Sequence, residues 1–156
     1  MSVPAAARVR LRGFTLVEMI IVLVVMMLLA GLGTPGLVTG FNHAKVRRVA
    51  SMLIADLQYA QDLAARQRKP VVVIVVPGVG SYIIRDRATS EVFRQRFLGG
   101  DTDYGVETLT ASPNSVVLFP NGAAQTTTTF TLGVPSYQRT VTLTQAGQIR
   151  LLPPSQ

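Results

Sequence analysis

Hydrophobic residues follow three successive patterns along the chain. From residue 14 to about residue 32 they are nearly continuous, and Thr15 and Glu18 are the early polar exceptions. Between residues 39 and 67 apolar positions recur every three or four residues, which predicts an amphipathic helix. After Pro70 short apolar or alternating runs are separated by Pro and Gly, as in β-strands. The pattern predicts an α+β fold, a long N-terminal α-helix packed on an antiparallel β-sheet.

The amphipathic segment carries a single apolar stripe, while most of its charged residues occupy the other faces. Its members are Val46, Val49, Leu53, Leu57, Ala60 and Ala64. An apolar stripe needs a surface to cover it. Burial against the protein's own head is the favoured interpretation for the C-terminal half of the stripe, and packing against other subunits is the alternative.

The strand region begins with an unbroken β-branched run at residues 71–76, which a Pro-Gly turn joins to a hairpin partner at residues 81–87. Further strands are predicted at residues 91–98, 116–119, 127–132, 139–144 and 149–152. In the segment 139–144 threonines alternate with Val141 and Leu143, as expected of a strand with one buried face. Segment 91–98 has no clean polar and apolar faces, so its register stays open.

The segment Gly31-Leu32-Gly33-Thr34-Pro35-Gly36 separates the two helical stretches. Three glycines and a proline predict a kink or a locally melted segment there. The predicted organisation is therefore an apolar helix at residues 14–35, an amphipathic stem helix at residues 36–69 and an antiparallel β head at residues 70–156.

Residues 1–13 form a leader in which three arginines precede Gly13, and the apolar segment begins directly afterwards. A secretory signal is cleaved after its apolar part, whereas the only good processing point here, between Gly13 and Phe14, lies before it. Cleavage there frees an amine and keeps the helix. Residues 14 to about 32 are long enough, at about 1.5 Å each, to cross most of a bilayer as a helix. The upstream arginines predict a cytoplasmic N-terminus.

The motif Gly13-Phe14-Thr15-Leu16-Val17-Glu18 resembles the class III leader of type IV pilins and pseudopilins. The resemblance implies that a prepilin peptidase cuts after Gly13 and N-methylates Phe14. It also implies that Glu18 meets the N-terminal ammonium of a neighbouring subunit during filament assembly. A carboxylate at one end of an otherwise apolar span costs a few kcal/mol if it faces lipid, so Glu18 is independently expected to have a partner or a function. A plain signal anchor whose glutamate snorkels to the headgroups is the alternative.

Several segments of the remaining chain are similar to the type II secretion protein H and FimT group. They are Tyr59-Ala60-Gln61, Ala64-Ala65-Arg66, Leu118-Phe119-Pro120-Asn121-Gly122, Arg139-Thr140-Val141 and Gly147-Gln148-Ile149-Arg150. This resemblance implies a pilin-like fold and a minor pseudopilin of a type II secretion system. Such a subunit is anchored in the bacterial inner membrane, has a periplasmic head and enters a filament with other pilin-like subunits.

The alternative within the same group is a minor pilin at the tip of a type IV pilus, which contacts DNA or a surface. DNA-uptake members carry a C-terminal Gly-Arg-x-Arg element. Here Gly147-Gln148-Ile149-Arg150 keeps the glycine and the second arginine but replaces the first with glutamine. Arg139 and Arg150 are the candidate DNA contacts, close together on adjacent predicted strands. Since affinity for phosphates scales with the number of cations, one lost arginine makes DNA the less favoured partner.

The composition provides few side chains of the kinds that act in catalysis. The chain has no cysteine and one histidine, His43, which we expect to be solvated on the stem, and its carboxylates are scattered. We therefore predict no enzyme, no cofactor and no metal site. The loop from Asp101 to Glu107 offers oxygen ligands of the kind calcium takes, but it lacks the spacing of an EF-hand, which favours a solvated acidic turn.

The basic charge of the chain says little about nucleic acid. Lys and Arg number 15 against 8 Asp and Glu, a formal net charge of +7. Three of the arginines belong to the leader, and most of the remaining excess lies on the stem, so the head is nearly neutral.

Overall fold

The computed structural model describes residues 14–154, with only the backbone for residues 32–39. The predicted leader, including Gly13, lies outside the described residues. The described part contains helix α1 (Leu16–Gln67), a short 3₁₀ helix at Pro77–Val79 and eight strands. The strands are β1 (Val71–Val76), β2 (Ser81–Asp86), β3 (Val92–Phe97), β4 (Thr108–Ser112), β5 (Ser115–Leu118), β6 (Thr128–Val134), β7 (Tyr137–Leu143) and β8 (Ile149–Leu151).

Helix α1 runs through the segment where the sequence predicts an interruption. The backbone of residues 31–36 is helical, so the prediction of a locally melted segment is wrong. A proline inside a helix removes one backbone donor and costs about 3 kcal/mol. Helix propagates cooperatively once it is nucleated, and the long helical stretches on both sides outweigh that local cost.

The chain divides into two compact units, Met1–Val38 and Thr39–Gln156. In the first unit every side chain described between Phe14 and Gly31 is exposed, and apolar residues occupy all faces of the helix. Among the residues described, no helix combines the length and the hydropathy that a membrane crossing requires.

The second unit is built around the apolar stripe of α1. All six predicted stripe residues are at most 1% exposed, which confirms that the stripe is buried in the protein's own core. Both sheets contribute side chains to the same core, among them Val73, Ile84, Leu118, Phe130, Leu132, Val141 and Leu143. Complete burial of each large aliphatic side chain contributes about 1.5–3 kcal/mol. The stem helix and the head therefore fold as one packed body.

The strands form two four-stranded antiparallel sheets. Sheet A has the order β3-β2-β1-β5, and sheet B has the order β4-β6-β7-β8. The predicted antiparallel head, its β1–β2 hairpin and the buried face of β7 are confirmed. Strand β4 was not predicted, because Thr108–Ser112 is short and mostly polar, and only Leu109 and Ala111 of it are buried.

Candidate functional site

Thr15 and Glu18 together begin helix α1. The backbone N–H of Glu18 donates to Thr15 Oγ1 at 3.2 Å, and the N–H of Met19 donates to the Thr15 carbonyl at 3.2 Å. Thr15 is thus the N-cap, and Glu18 stands at the third helical position, as in a capping box. The exposed Glu18 carboxylate is favoured there by the partial positive charge of the helix N-terminus. Phe14, the predicted methylated residue, lies directly before the cap and is exposed.

Asp56 is a buried carboxylate on α1 that is only 2% exposed. It accepts hydrogen bonds from Tyr82 Oη at 2.6 Å and from Arg96 Nε at 2.6 Å, both to Oδ2. Arg94 and Arg96 also donate to its Oδ1, and the Arg94 guanidinium lies 4.1 Å above the Tyr59 ring. Burial alone would raise the pKa of Asp56, but the hydrogen bonds from Arg96, Tyr82 and Arg94 outweigh it and hold the pKa below its usual value.

The register of the strands explains why two arginines face the core. In sheet A, Arg94 pairs with Ile84 and Arg96 pairs with Tyr82, so both arginines share the buried face of β2. This resolves the face of β3 that the sequence left open. The Asp56 group ties α1 to sheet A and leaves Asp56 no free oxygen for chemistry.

Two head segments that resemble the protein H and FimT group meet in space. Gly147 has a φ of 82°, and a Cβ at this position would lie 2.0 Å from the Gly122 carbonyl oxygen. Its own carbonyl accepts a hydrogen bond of 2.7 Å from Gln61 Nε2 of α1. Asn121 closes the partner turn by accepting the Ala123 N–H at 3.1 Å. The glycine of the C-terminal element is therefore required by packing.

The two candidate DNA contacts lie on adjacent strands but on opposite faces of sheet B. Arg150 of β8 pairs with Thr142 of β7, so these two side chains share a face. Arg139 is three residues before Thr142, which places it on the other face, the face of the buried Val141. The structure does not bring the two arginines together. Arg150 instead donates to Gln148 Oε1 at 2.8 Å, the residue that replaces the first arginine of the element.

Arg139 belongs to a different group of side chains, which we call the Tyr137 cluster: His43 and Arg47 of α1, and Tyr137 and Arg139 of β7. The His43 and Tyr137 rings are stacked with centroids 3.9 Å apart, so His43 is only partly solvated, contrary to expectation. Arg139 Nε donates to Tyr137 Oη at 2.8 Å. Burial opposes ionisation of Tyr137, but hydrogen bonds from Arg47 and Arg139 outweigh it and lower the pKa of the phenol.

The acidic loop from Asp101 to Glu107 lies within the described residues. In that part of the chain no three His, Cys, Asp or Glu side chains are grouped closely enough to hold a metal ion. The loop is organised instead by Thr102, whose hydroxyl donates to the Gly99 carbonyl at 2.8 Å.

Comparison with known proteins agrees with the fold and with the N-terminal motif. The family model described as type II transport protein GspH matches residues 49–147, more than half of the chain. The chain belongs to the GspH family. A second model, the prokaryotic N-terminal methylation motif, matches residues 9–34. None of the curated proteins matches the sequence at a significant level.

Solved structures with the same fold include two minor pilin-like proteins. The type IV minor pilin FimU of Pseudomonas aeruginosa is 22% identical with a TM-score of 0.58, and the match covers 71% of this chain and 90% of FimU. The minor pseudopilin EpsH from the type 2 secretion system of Vibrio cholerae is 17% identical with a TM-score of 0.56, covering 69% of this chain and 96% of EpsH. The predicted pilin-like fold is therefore confirmed.

Membership of the GspH family confirms the resemblance inferred from the leader and the head. Proteins of this kind are pilin-like subunits that assemble with other pilins in filaments. Sequence reasoning missed the Asp56 group and the Tyr137 cluster, because their members are far apart in the chain. The capping box did have a sequence signal, namely the Thr-x-x-Glu spacing at Thr15 and Glu18.

Proposed function

We propose that this GspH-family protein is a minor pseudopilin, a structural subunit of the periplasmic pseudopilus with which a type II secretion system exports folded proteins. The match of the GspH model to residues 49–147 carries the proposal, because it covers the head rather than the N-terminal motif alone. The protein acts by assembly and not as an enzyme, and it needs no cofactor.

The N-terminal part has a role before and during assembly. A prepilin peptidase removes the leader after Gly13 and methylates the new amine of Phe14. Residues 14–35 then hold the subunit in the inner membrane, with its N-terminus in the cytoplasm and its head in the periplasm. The match of the methylation motif to residues 9–34 supports this sequence of events. When the subunit leaves the bilayer, Glu18 pairs with the ammonium of a neighbouring subunit, since an unpaired charge is costly in an apolar filament core.

A second candidate function is that of a minor pilin in a type IV pilus. The similarity to FimU, whose TM-score of 0.58 is close to the 0.56 for EpsH, favours keeping it. Contact of the head with DNA is the less favoured version of this function, because Arg139 and Arg150 lie on opposite faces of sheet B.

Disruption of the gene in its own host, with complementation, separates the two functions. The proposal predicts that normally secreted proteins remain in the periplasm, while surface pili and DNA uptake are unchanged. Complementation by the intact gene restores secretion. Normal secretion together with lost pili or lost DNA uptake would contradict the pseudopilin assignment and favour the pilus.

A further inference from the structure

Two groups in the second unit have the same composition, namely two arginines and a tyrosine hydroxyl. In the first, Arg94, Arg96 and Tyr82 surround the carboxylate of Asp56. In the Tyr137 cluster, Arg139 hydrogen-bonds the hydroxyl of Tyr137, and Arg47 is close enough to that hydroxyl to help lower its pKa. Neither Arg47 nor Arg139 forms an ion pair with a described carboxylate, because the ion pairs found among the described residues are those of Asp56 with Arg94 and Arg96.

Two guanidiniums that converge on one neutral hydroxyl repel each other, and the hydroxyl cannot offset their charges. An anionic oxygen between them would replace that repulsion with charge-assisted hydrogen bonds, about twice as strong as neutral ones. The same positive potential lowers the pKa of Tyr137. Glu107 lies at the same end of sheet B, where its backbone N–H donates to the Gly133 carbonyl, but its carboxylate makes no ion pair with Arg47 or Arg139.

The Tyr137 cluster is accessible to solvent, and the side chains of Tyr137 and Arg139 are fixed by neighbouring contacts. Arg47 is exposed, while Tyr137 and Arg139 are partly exposed. The ring of Tyr137 is fixed by stacking on His43, and Arg139 Nη1 is additionally directed by a hydrogen bond of 3.4 Å to the Leu152 carbonyl. Because Tyr137 and Arg139 are already held in place, an anion can bind beside them at little cost in the entropy of these two side chains.

We propose that the Tyr137 cluster is a receptor for an acidic side chain of a neighbouring pilin-like subunit. The neighbour supplies between Arg47 and Arg139 the carboxylate that Asp56 supplies between Arg94 and Arg96. The chain's own Asp56 group shows that this donor set accepts a side-chain carboxylate, and filament packing brings such side chains to the stem and head of an adjacent subunit. The inference rests on the proposed filament role.

The test uses the second unit alone, residues 39–156, since every residue of the core cluster lies within it. A tetraglutamate peptide is titrated into this head at low salt, and the Tyr137 ring is followed by NMR. We expect saturable shifts of the ring signals and a rise in the pKa of Tyr137, both weakened by added salt. A tetraglutamine peptide serves as the neutral control and should cause neither change.

Three variants show whether the response comes from the Tyr137 cluster. Arg47→Gln and Arg139→Gln should each lose most of the response, whereas Arg150→Gln should keep it, since Arg150 lies on the opposite face of sheet B. Melting curves like that of the unaltered head establish that each variant is folded. The absence of a response to tetraglutamate, or a response that survives in the Arg47 and Arg139 variants, would overturn the proposal.

Inorganic phosphate and vesicles containing anionic phospholipid are the competing probes. If either binds through Arg47 and Arg139 while tetraglutamate has no effect, the cluster recognises phosphate and the proposal is wrong. In the full chain, Arg139→Glu should lower incorporation into filaments. Because the peptide titration does not depend on secretion, its failure can be distinguished from failure of the proposed function.

Discussion

At the scale of single residues, Asp56 is the polar group on which the packing of α1 against sheet A depends most. Asp56→Ala leaves Arg94, Arg96 and the Tyr82 hydroxyl facing an apolar gap, and loss of one partner of a buried ion pair costs about 3–5 kcal/mol. We expect about 2–3 kcal/mol, because the arginines are 35% and 30% exposed. Urea unfolding of the head measures the change. The exposed Asp62→Ala on the same helix is the control, and an equal loss there would refute the assignment.

The same carboxylate makes the stability of the head sensitive to acid. The folded pKa of Asp56 lies below the value of about 3.9 expected for an unfolded chain. Its stabilising contribution is therefore fully present above that value and is lost as the pH falls through the folded pKa. Melting temperatures between pH 6 and pH 2 should fall less steeply for Asp56→Asn than for the unaltered head. Parallel curves for the two proteins would contradict this account.

Gly147 is the second residue whose identity the structure explains. Gly147→Ala should destabilise the head by more than about 1–2 kcal/mol, because the left-handed backbone is costly for alanine and the Cβ would meet the Gly122 carbonyl. Gly100→Ala has open space and serves as the matched control. Unfolding curves should separate the two variants clearly. If both were equally tolerated, the proposed close approach of the two turns would be wrong.

At the scale of elements, the N-terminus of α1 combines a cap with a charge, and substitution can separate them. Glutamine at position 18 keeps a capping-box side chain but removes the charge, whereas alanine removes both. We expect Glu18→Gln and Glu18→Ala to be processed and inserted normally but to enter filaments much less than the unaltered protein. Immunoblots of membrane and sheared filament fractions give the comparison. Normal incorporation of Glu18→Gln would show that capping, and not charge, is what assembly needs.

The edge of sheet B provides a test of DNA contact. Because Arg139 and Arg150 lie on opposite faces, they cannot act as one phosphate clamp, and we expect the head to bind DNA weakly even at low salt. Titration of residues 39–156 with duplex DNA at low and moderate salt measures this. Salt-sensitive binding that is lost in an Arg139→Ala/Arg150→Ala double variant would contradict this expectation and favour the DNA-uptake pilin.

The sequence predicted those elements whose signal is local. The apolar stripe of α1 has a helical period, the β-branched composition of the unbroken run in β1 favours a strand, and both elements were found where expected. Strand β4 has no such period, and its assignment depends on pairing with β6. The continuous helix at Pro35 is a similar case, since local propensity was overruled by the helix on both sides.

The candidate functional residues show the same difference between local and long-range signals. The residues of the leader motif are contiguous and were named from the sequence, whereas the Thr15–Glu18 cap was not named although its Thr-x-x-Glu signal is local. Asp56 is separated from Arg94 and Arg96 by 38 and 40 residues, and no local sequence pattern predicts that these side chains form a contact. The separation of Arg139 and Arg150 depends on strand register, which the strand alternation alone does not fix.

At the scale of the whole molecule, the two compact units have different roles in the proposed function. The second unit, Thr39–Gln156, contains the hydrophobic core of the described residues and the Tyr137 cluster, through which we propose that a neighbouring subunit binds. The first unit contributes an apolar helix whose described side chains are all exposed. Burial of such a helix requires an apolar environment outside the chain, and in our proposal the membrane provides it first and the filament afterwards.

The measurement that tests this account most directly is the intact mass of the protein isolated from membrane and filament fractions of its own host. The account predicts one mature form in both fractions, a chain that begins at Phe14 and carries a single added methyl group. A Gly13→Val variant should keep its leader and be absent from filaments. A chain that retains residues 1–13, or one that is cut at another position and still enters filaments, would contradict the account.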